Sequence, residues 1–114
     1  MIWDRRNECM SREEMEQLQL ERLQSTLNRV YRNVTFYKKS FDQLKVLPDE
    51  IQSIQDLTQF PLTAKEDLRE SYPYGMFATS LREVVRIHSS SGVTGKPTVT
   101  GYTRNDLQHW SQLN

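Results

Sequence analysis

Val84-Val85-Arg86-Ile87-His88-Ser89-Ser90-Ser91-Gly92-Val93-Thr94-Gly95-Lys96-Pro97-Thr98-Val99-Thr100-Gly101-Tyr102 is the stretch around which the chain is organised. Val84–His88 and Thr98–Tyr102 are short and rich in β-branched residues, the composition of strands. Between them, Ser89–Pro97 is made of small residues that punctuate a loop. The reading is strand, loop, strand. Consecutive hydroxyls in that loop are hydrogen-bond donors, and Gly92 and Gly95 allow backbone conformations closed to other residues. Successive N–H groups in such a turn can line an anion nest, and Lys96 adds a mobile positive charge. Together these parts suit a polyphosphate.

Two familiar phosphate loops do not fit. A Walker loop needs Gly, four residues, then Gly-Lys-Ser/Thr opening a helix. Here Ser90 holds the first glycine's place and Pro97 that of the Ser/Thr, with a strand following. The dinucleotide pattern G-x-G-x-x-G is absent as well. A plain Ser/Gly hairpin loop with no ligand is the simpler alternative from composition alone.

Outward from the loop, Thr103 with Asp106 predicts a capped helix through Leu107 and Trp110. No Gly or Pro closes it, so it reads as cut short. Upstream, Ser11 with Glu14 is a capping box that opens a helix from about Arg12 to Asn33. Met15, Leu18, Leu23, Leu27, Val30 and Val34 form its apolar stripe. Gln17, Gln19, Arg22 and Gln24 form a polar flank expected to face water or another domain. A short helix over Phe36–Leu44, a turn at Pro48-Asp49-Glu50, and one helical turn between Ser53 and Phe60 follow. Thr63 with Glu66 predicts a cap for a helix over Ala64–Glu70, and Ser71–Gly75 is a loop. The fold class is therefore an α+β fragment. A helical N-terminal segment over residues 1–80 leads into residues 81–114, a β-hairpin with its phosphate-binding loop and a final helix.

Composition narrows the function. The chain has 114 residues, 36% of them hydrophobic, with mean hydropathy -0.75. That is room for one small domain with little interior. Aromatics at 10% and clear periodicity argue against disorder. Lys+Arg and Asp+Glu both number 15, which gives no pull toward nucleic acid or an anionic membrane. No apolar run reaches the length of a membrane span. Cys9, the single cysteine, reads as a bland thiol in a reduced, cytoplasmic setting. His88 reads as a histidine satisfied by its strand neighbours and His109 as exposed. Two histidines so separated carry no metal signal. Trp3 and Trp110 are expected to bury aromatic area.

The full string sharpens the loop's meaning. Ser90-Ser91-Gly92-Val93-Thr94-Gly95-Lys96-Pro97-Thr98 resembles the phosphate-binding loop of the adenylate-forming superfamily. Arg86–Gly92, Gly95–Thr98 and Gly101-Tyr102-Thr103 are similar to the phenylacetate–CoA ligase branch. Upstream, Gln19–Leu23, Asn33–Tyr37, Asp56-Leu57, Phe60–Lys65, Asp67-Leu68-Arg69 and Tyr72-Pro73-Tyr74-Gly75 agree with it.

This resemblance implies the start of the large N-terminal domain of an AMP-forming enzyme. Its substrates would be an aryl carboxylic acid, ATP with Mg²⁺, and CoA. Carried over by position, Ser90, Ser91 and Thr94 supply hydroxyls to the ATP phosphates, Gly92 and Gly95 backbone N–H groups, and Lys96 charge. Val93 departs from the pattern, where Thr or Ser is usual; a lost hydroxyl contact is worth about 1 kcal/mol. The resemblance puts the adenine and acyl pockets, the Mg²⁺-supporting acid and the catalytic lysine downstream, so no catalytic or metal residue is expected here. The 114 residues alone would be inactive, holding one wall of the ATP site and associating with the remainder or with a second copy. The competing reading is a noncatalytic helical interaction or dimerisation module with a vestigial loop, suggested by the Met15–Val34 stripe.

Overall fold

A computed structural model describes residues 1–90 and 95–113 of the chain. The first element is one turn of helix, α1 (Arg5–Glu8), capped by Asp4, whose side chain accepts from the Asn7 N–H. Sequence periodicity gives no hint of it, because four residues are too few to show a period. The long helix α2 (Arg12–Asn33) starts where its capping box predicts. Ser11 Oγ accepts from the Glu14 N–H at 3.2 Å, and the Glu14 carboxylate accepts from the Ser11 N–H at 2.9 Å. The Ser11 N–H bond to the carboxylate comes first, and the nearby Ser11 hydroxyl second, in holding Glu14 below the usual carboxylate range.

Helix α3 (Thr35–Leu44) begins one residue earlier than the sequence suggests and ends on Lys45 in the left-handed region, φ 56°. There the Val46 N–H reaches back to the Phe41 carbonyl. That reversal turns the chain into two 3₁₀ turns, Pro48–Glu50 and Ile54–Gln59. Asp56 ties down the second by accepting from the Gln52 and Ser53 N–H groups.

The core lies between these pieces. Leu27, Phe41, Val46, Ile51 and Phe60 form one buried cluster, with Leu20, Leu23, Val30, Tyr31 and Tyr37 packed on it. Phe41 is 1% exposed and meets the rings of Phe60 at 5.2 Å, Tyr31 at 5.7 Å and Tyr37 at 6.1 Å. Edge-on and offset contacts of this kind add to what burial alone supplies. Gln24 corrects the expectation of a wholly outward polar flank. Its amide donates to the Ile51 carbonyl at 3.0 Å, satisfying a backbone acceptor beside the core that burial would otherwise penalise.

Helix α4 (Lys65–Glu70) also departs from its reading. The cap is Ala64, whose N–H donates to Asp67 at 2.7 Å, one residue later than the expected Thr63–Glu66 pair. Thr63 is engaged elsewhere, its hydroxyl 2.8 Å from that of Tyr37. After a 3₁₀ turn at Leu81–Glu83, β1 (Val84–Ser89) and β2 (Val99–Thr103) pair antiparallel. The register is Arg86 with Tyr102, Ile87 with Gly101, His88 with Thr100 and Ser89 with Val99, with a bulge between Val84 and Arg86. Helix α5 (Arg104–Leu113) follows at once. Its predicted cap is present: Thr103 Oγ1 accepts from the Asp106 N–H at 3.1 Å, and Asp106 accepts from the Thr103 N–H at 2.9 Å. The α+β order of helices, hairpin and final helix is as expected.

Candidate functional site

Opposed residues of an antiparallel pair share a face, so the register gives the hairpin two sides. Arg86, His88, Thr100 and Tyr102 lie on one, and Ile87, Ser89, Val99 and Gly101 on the other. Helix α5 covers the first. Trp110 packs on Tyr102 at 5.5 Å, and the His88 ring stands edge-on to Tyr102 at 4.9 Å and to Trp110 at 6.2 Å. His88 is thus placed by aromatic neighbours on its strand and on α5. The second side meets the segment after α4. Phe77 occupies the space where a side chain on Gly101 would sit, since a Cβ there would come within 2.5 Å of its ring. The Tyr74 ring packs at a tilt on Phe77, 5.3 Å between centres.

The loop leaves the hairpin through a closed neck. The Ser90 N–H donates to the Thr98 carbonyl at 3.0 Å, and the Thr98 N–H donates to Ser90 Oγ at 3.0 Å. The two hydroxyl oxygens lie 2.6 Å apart and share one proton between them. Each hydroxyl brings a single donor, so the pair keeps one proton free to point elsewhere. Of the six residues assigned to phosphate from sequence, Ser90, Gly95 and Lys96 are described, whereas Ser91, Gly92 and Thr94, with Val93, lie outside the described residues. Gly95 adopts φ +144° with no atom near its missing side chain. Its need for glycine is conformational and not a matter of space.

Lys96 is exposed, and its ammonium stands 6.0 Å from the centre of the Tyr72 ring. Among the described residues it has no carboxylate partner. Lys38 is the contrast, held 3.2 Å from Asp42. Lys96 therefore keeps its charge uncompensated at the mouth of a loop whose neck is hydrogen-bonded shut.

Sequence reasoning missed Thr98 as the neck's second half, Phe77 and Gly101 as a fitted pair, and Tyr72 as the neighbour of Lys96. A glycine inside a β-branched strand is a signal of close approach, and Gly101 carried it. Nothing in spacing reveals Tyr72. Trp3 does not bury its ring, being 82% exposed; His109 is exposed as expected, and Cys9 is exposed too. No group of three or more His, Cys, Asp or Glu among the described residues could hold a metal ion. No helix among them is long and apolar enough to cross a membrane.

The fold has solved counterparts. 2-Hydroxyisobutyryl-CoA ligase, solved in complex with 2-HIB-AMP and CoA, superposes with a TM-score of 0.76 and 30% identity over 85% of this chain and 22% of its own. The same ligase in its postadenylation state gives 0.73 and 28%. The architecture is thus that of a segment of an adenylate-forming CoA ligase.

Sequence similarity narrows this further, although no protein-family model matches the chain. It is 48% identical to phenylacetate-coenzyme A ligase of Escherichia coli and 51% to that of Aromatoleum evansii, each over 93% of this chain. The Thermus thermophilus enzyme of that name is 43% identical over 99%. The resemblance to the phenylacetate–CoA ligase branch is borne out along nearly the whole chain, which spans about a quarter of the length of these relatives, 24–25%.

Proposed function

We propose that this chain is the N-terminal part of an ATP-dependent, AMP-forming aryl-acid (phenylacetate) CoA ligase, and that it contributes the loop that binds the ATP phosphates. Supporting this most directly is the hairpin itself. Two paired strands, a closed neck and a lysine with no carboxylate partner among the described residues flank the segment to which the resemblance assigns the phosphates. In the proposed reaction a carboxylate oxygen of the acid bonds to the α-phosphorus of ATP and pyrophosphate leaves. The CoA sulfur then attacks the acyl carbon, AMP departs, and the thiol proton goes to solvent.

Ser90, Ser91, Gly92, Thr94, Gly95 and Lys96 would act in the first half, on the β- and γ-phosphates. Fixed N–H and O–H donors there stabilise charge gathering on the departing pyrophosphate. The free proton of the Ser90–Thr98 pair is one such donor, and Lys96 is the cation. Mg²⁺ would accompany ATP, and no group of three or more His, Cys, Asp or Glu among the described residues could hold it.

Alone, the chain is inactive in this proposal, because one wall of a cleft encloses little of a ligand. The exposed Leu81, Val85 and Ile87 would be covered by the rest of the ligase, in a cytoplasmic setting where Cys9 stays a thiol. AMP release from ATP, phenylacetate and CoA tests the proposal. The full-length protein carrying these residues should release AMP and the 114-residue chain should not. A full-length protein that leaves ATP intact with every aryl acid offered would refute it.

A further inference from the structure

Lys96 and Tyr72 belong to distant parts of the sequence, and the fold brings them together through a fixed path. Phe77 is fitted against Gly101 of β2. The turn before it is closed by the Gly75 N–H on the Ser71 carbonyl at 2.8 Å, and the Tyr72 N–H bonds back to Arg69 of α4 at 3.2 Å. Tyr72 is thereby carried on a segment anchored at one end to α4 and at the other to the strand that leaves the loop. Its ring faces the Lys96 ammonium at 6.0 Å, the outer reach of a cation–π contact.

A ring and a carboxylate hold a lysine differently. A carboxylate takes up the N–H donors and cancels the charge, as Asp42 does for Lys38. An aromatic face attracts the cation through its quadrupole while leaving the ammonium its full charge and its N–H donors for another acceptor. We infer that Tyr72 is a positioning residue for Lys96: its ring steadies the ammonium at the mouth of the loop and leaves it unneutralised for the anionic tail of the nucleotide. This rests on the phosphate-binding reading of the loop. It gives Tyr72 a part in the loop's work, beside the packing of Tyr74 on Phe77 and the turn closed at Gly75. Because the ring acts before the ligand arrives, its loss is read in the KM for ATP.

Steady-state kinetics of the full-length protein carrying these residues test it, with ATP as the varied substrate. Tyr72→Leu should raise the KM for ATP about two- to five-fold, the effect of an exposed cation–π contact. Tyr72→Phe keeps the ring and should restore the KM, which a general loss of folding would not allow. In a Lys96→Met background, Tyr72→Leu should add nothing, since the two act through one interaction. If Lys96→Met raises the KM and Tyr72→Leu does not, or if Tyr72→Leu raises it equally without Lys96, the inference about Tyr72 is wrong while the phosphate loop stands. If Lys96→Met leaves the KM unchanged, the phosphate reading of the loop fails first.

Discussion

The two ends of this molecule are built on different principles. Every buried side chain among the described residues lies between Leu27 and Phe60, most of them in one cluster between α2, α3 and the two 3₁₀ turns. From Pro61 onward the described residues include none that is fully buried, and Val85 and Ile87 on β1 remain about half exposed. The front has a buried core of its own, although Leu44, Leu47 and Leu57 stay exposed. The hairpin is instead held by fitted contacts, Phe77 on Gly101 and Trp110 on Tyr102. The difference is between a segment with a core of its own and a hairpin whose outer surface stays open.

The sharpest way to break the comparison is to empty the front's core. Phe41→Ala should cost about 3–5 kcal/mol, read as a shift of the urea midpoint. Ile87→Ala should change stability far less, because that side chain is already half in water. Equal losses would mean that the hairpin shares the core.

Next in size is Gly101→Ala. The new methyl meets the Phe77 ring, and overpacking of this kind costs about 1–3 kcal/mol. Phe77→Leu in the same chain should recover part of that loss, and a double-mutant cycle on unfolding free energies measures the coupling.

A smaller effect of opposite sign is expected at Lys45, a non-glycine in the left-handed region at the end of α3. Relief of its side-chain clash outweighs the added freedom of the unfolded chain. Lys45→Gly should therefore raise stability by up to about 1 kcal/mol, visible as a higher melting temperature.

Smallest is the pH response of the exposed trio Tyr31, Lys38 and Asp42. The Tyr31 hydroxyl, followed by Lys38, holds Asp42 below the usual carboxylate range. The resulting stability is present above the unfolded aspartate's pKa and is lost as pH falls through the lowered folded value. Lys38 is raised, by Asp42 first and then Tyr31. Its share is complete below the unfolded lysine's pKa and is lost as pH rises through the folded one. Asp42→Asn should flatten the acid limb of a stability–pH curve by a small margin, since both partners are exposed.

What the sequence disclosed follows the range of its signals. Ser11 with Glu14 and Thr103 with Asp106 mark helix starts because capping is settled within four residues. The β-branched runs around the loop give the hairpin for the same local reason. Thr63 with Glu66 has the same spacing and fails, because Tyr37 holds the Thr63 hydroxyl and Asp67 takes over the cap. Gln24 looked like surface until the carbonyl of Ile51, 27 positions on, came to meet it. At the candidate site the loop's residues were legible as a string, and Ser90, Gly95 and Lys96 emerge at its two ends. Their partners Thr98 and Tyr72 were not, since only the closed neck and the turn at Gly75 bring them near.

The most direct measurement is ATP–pyrophosphate exchange, driven by phenylacetate, in the full-length protein with Gly95→Val. Gly95 has open space around it but a backbone angle that valine resists, so the change should strike the loop and spare the fold. Exchange falling about tenfold or more, with an unchanged melting temperature, is the outcome expected of a loop that grips the departing pyrophosphate. Exchange at the wild-type rate would contradict it.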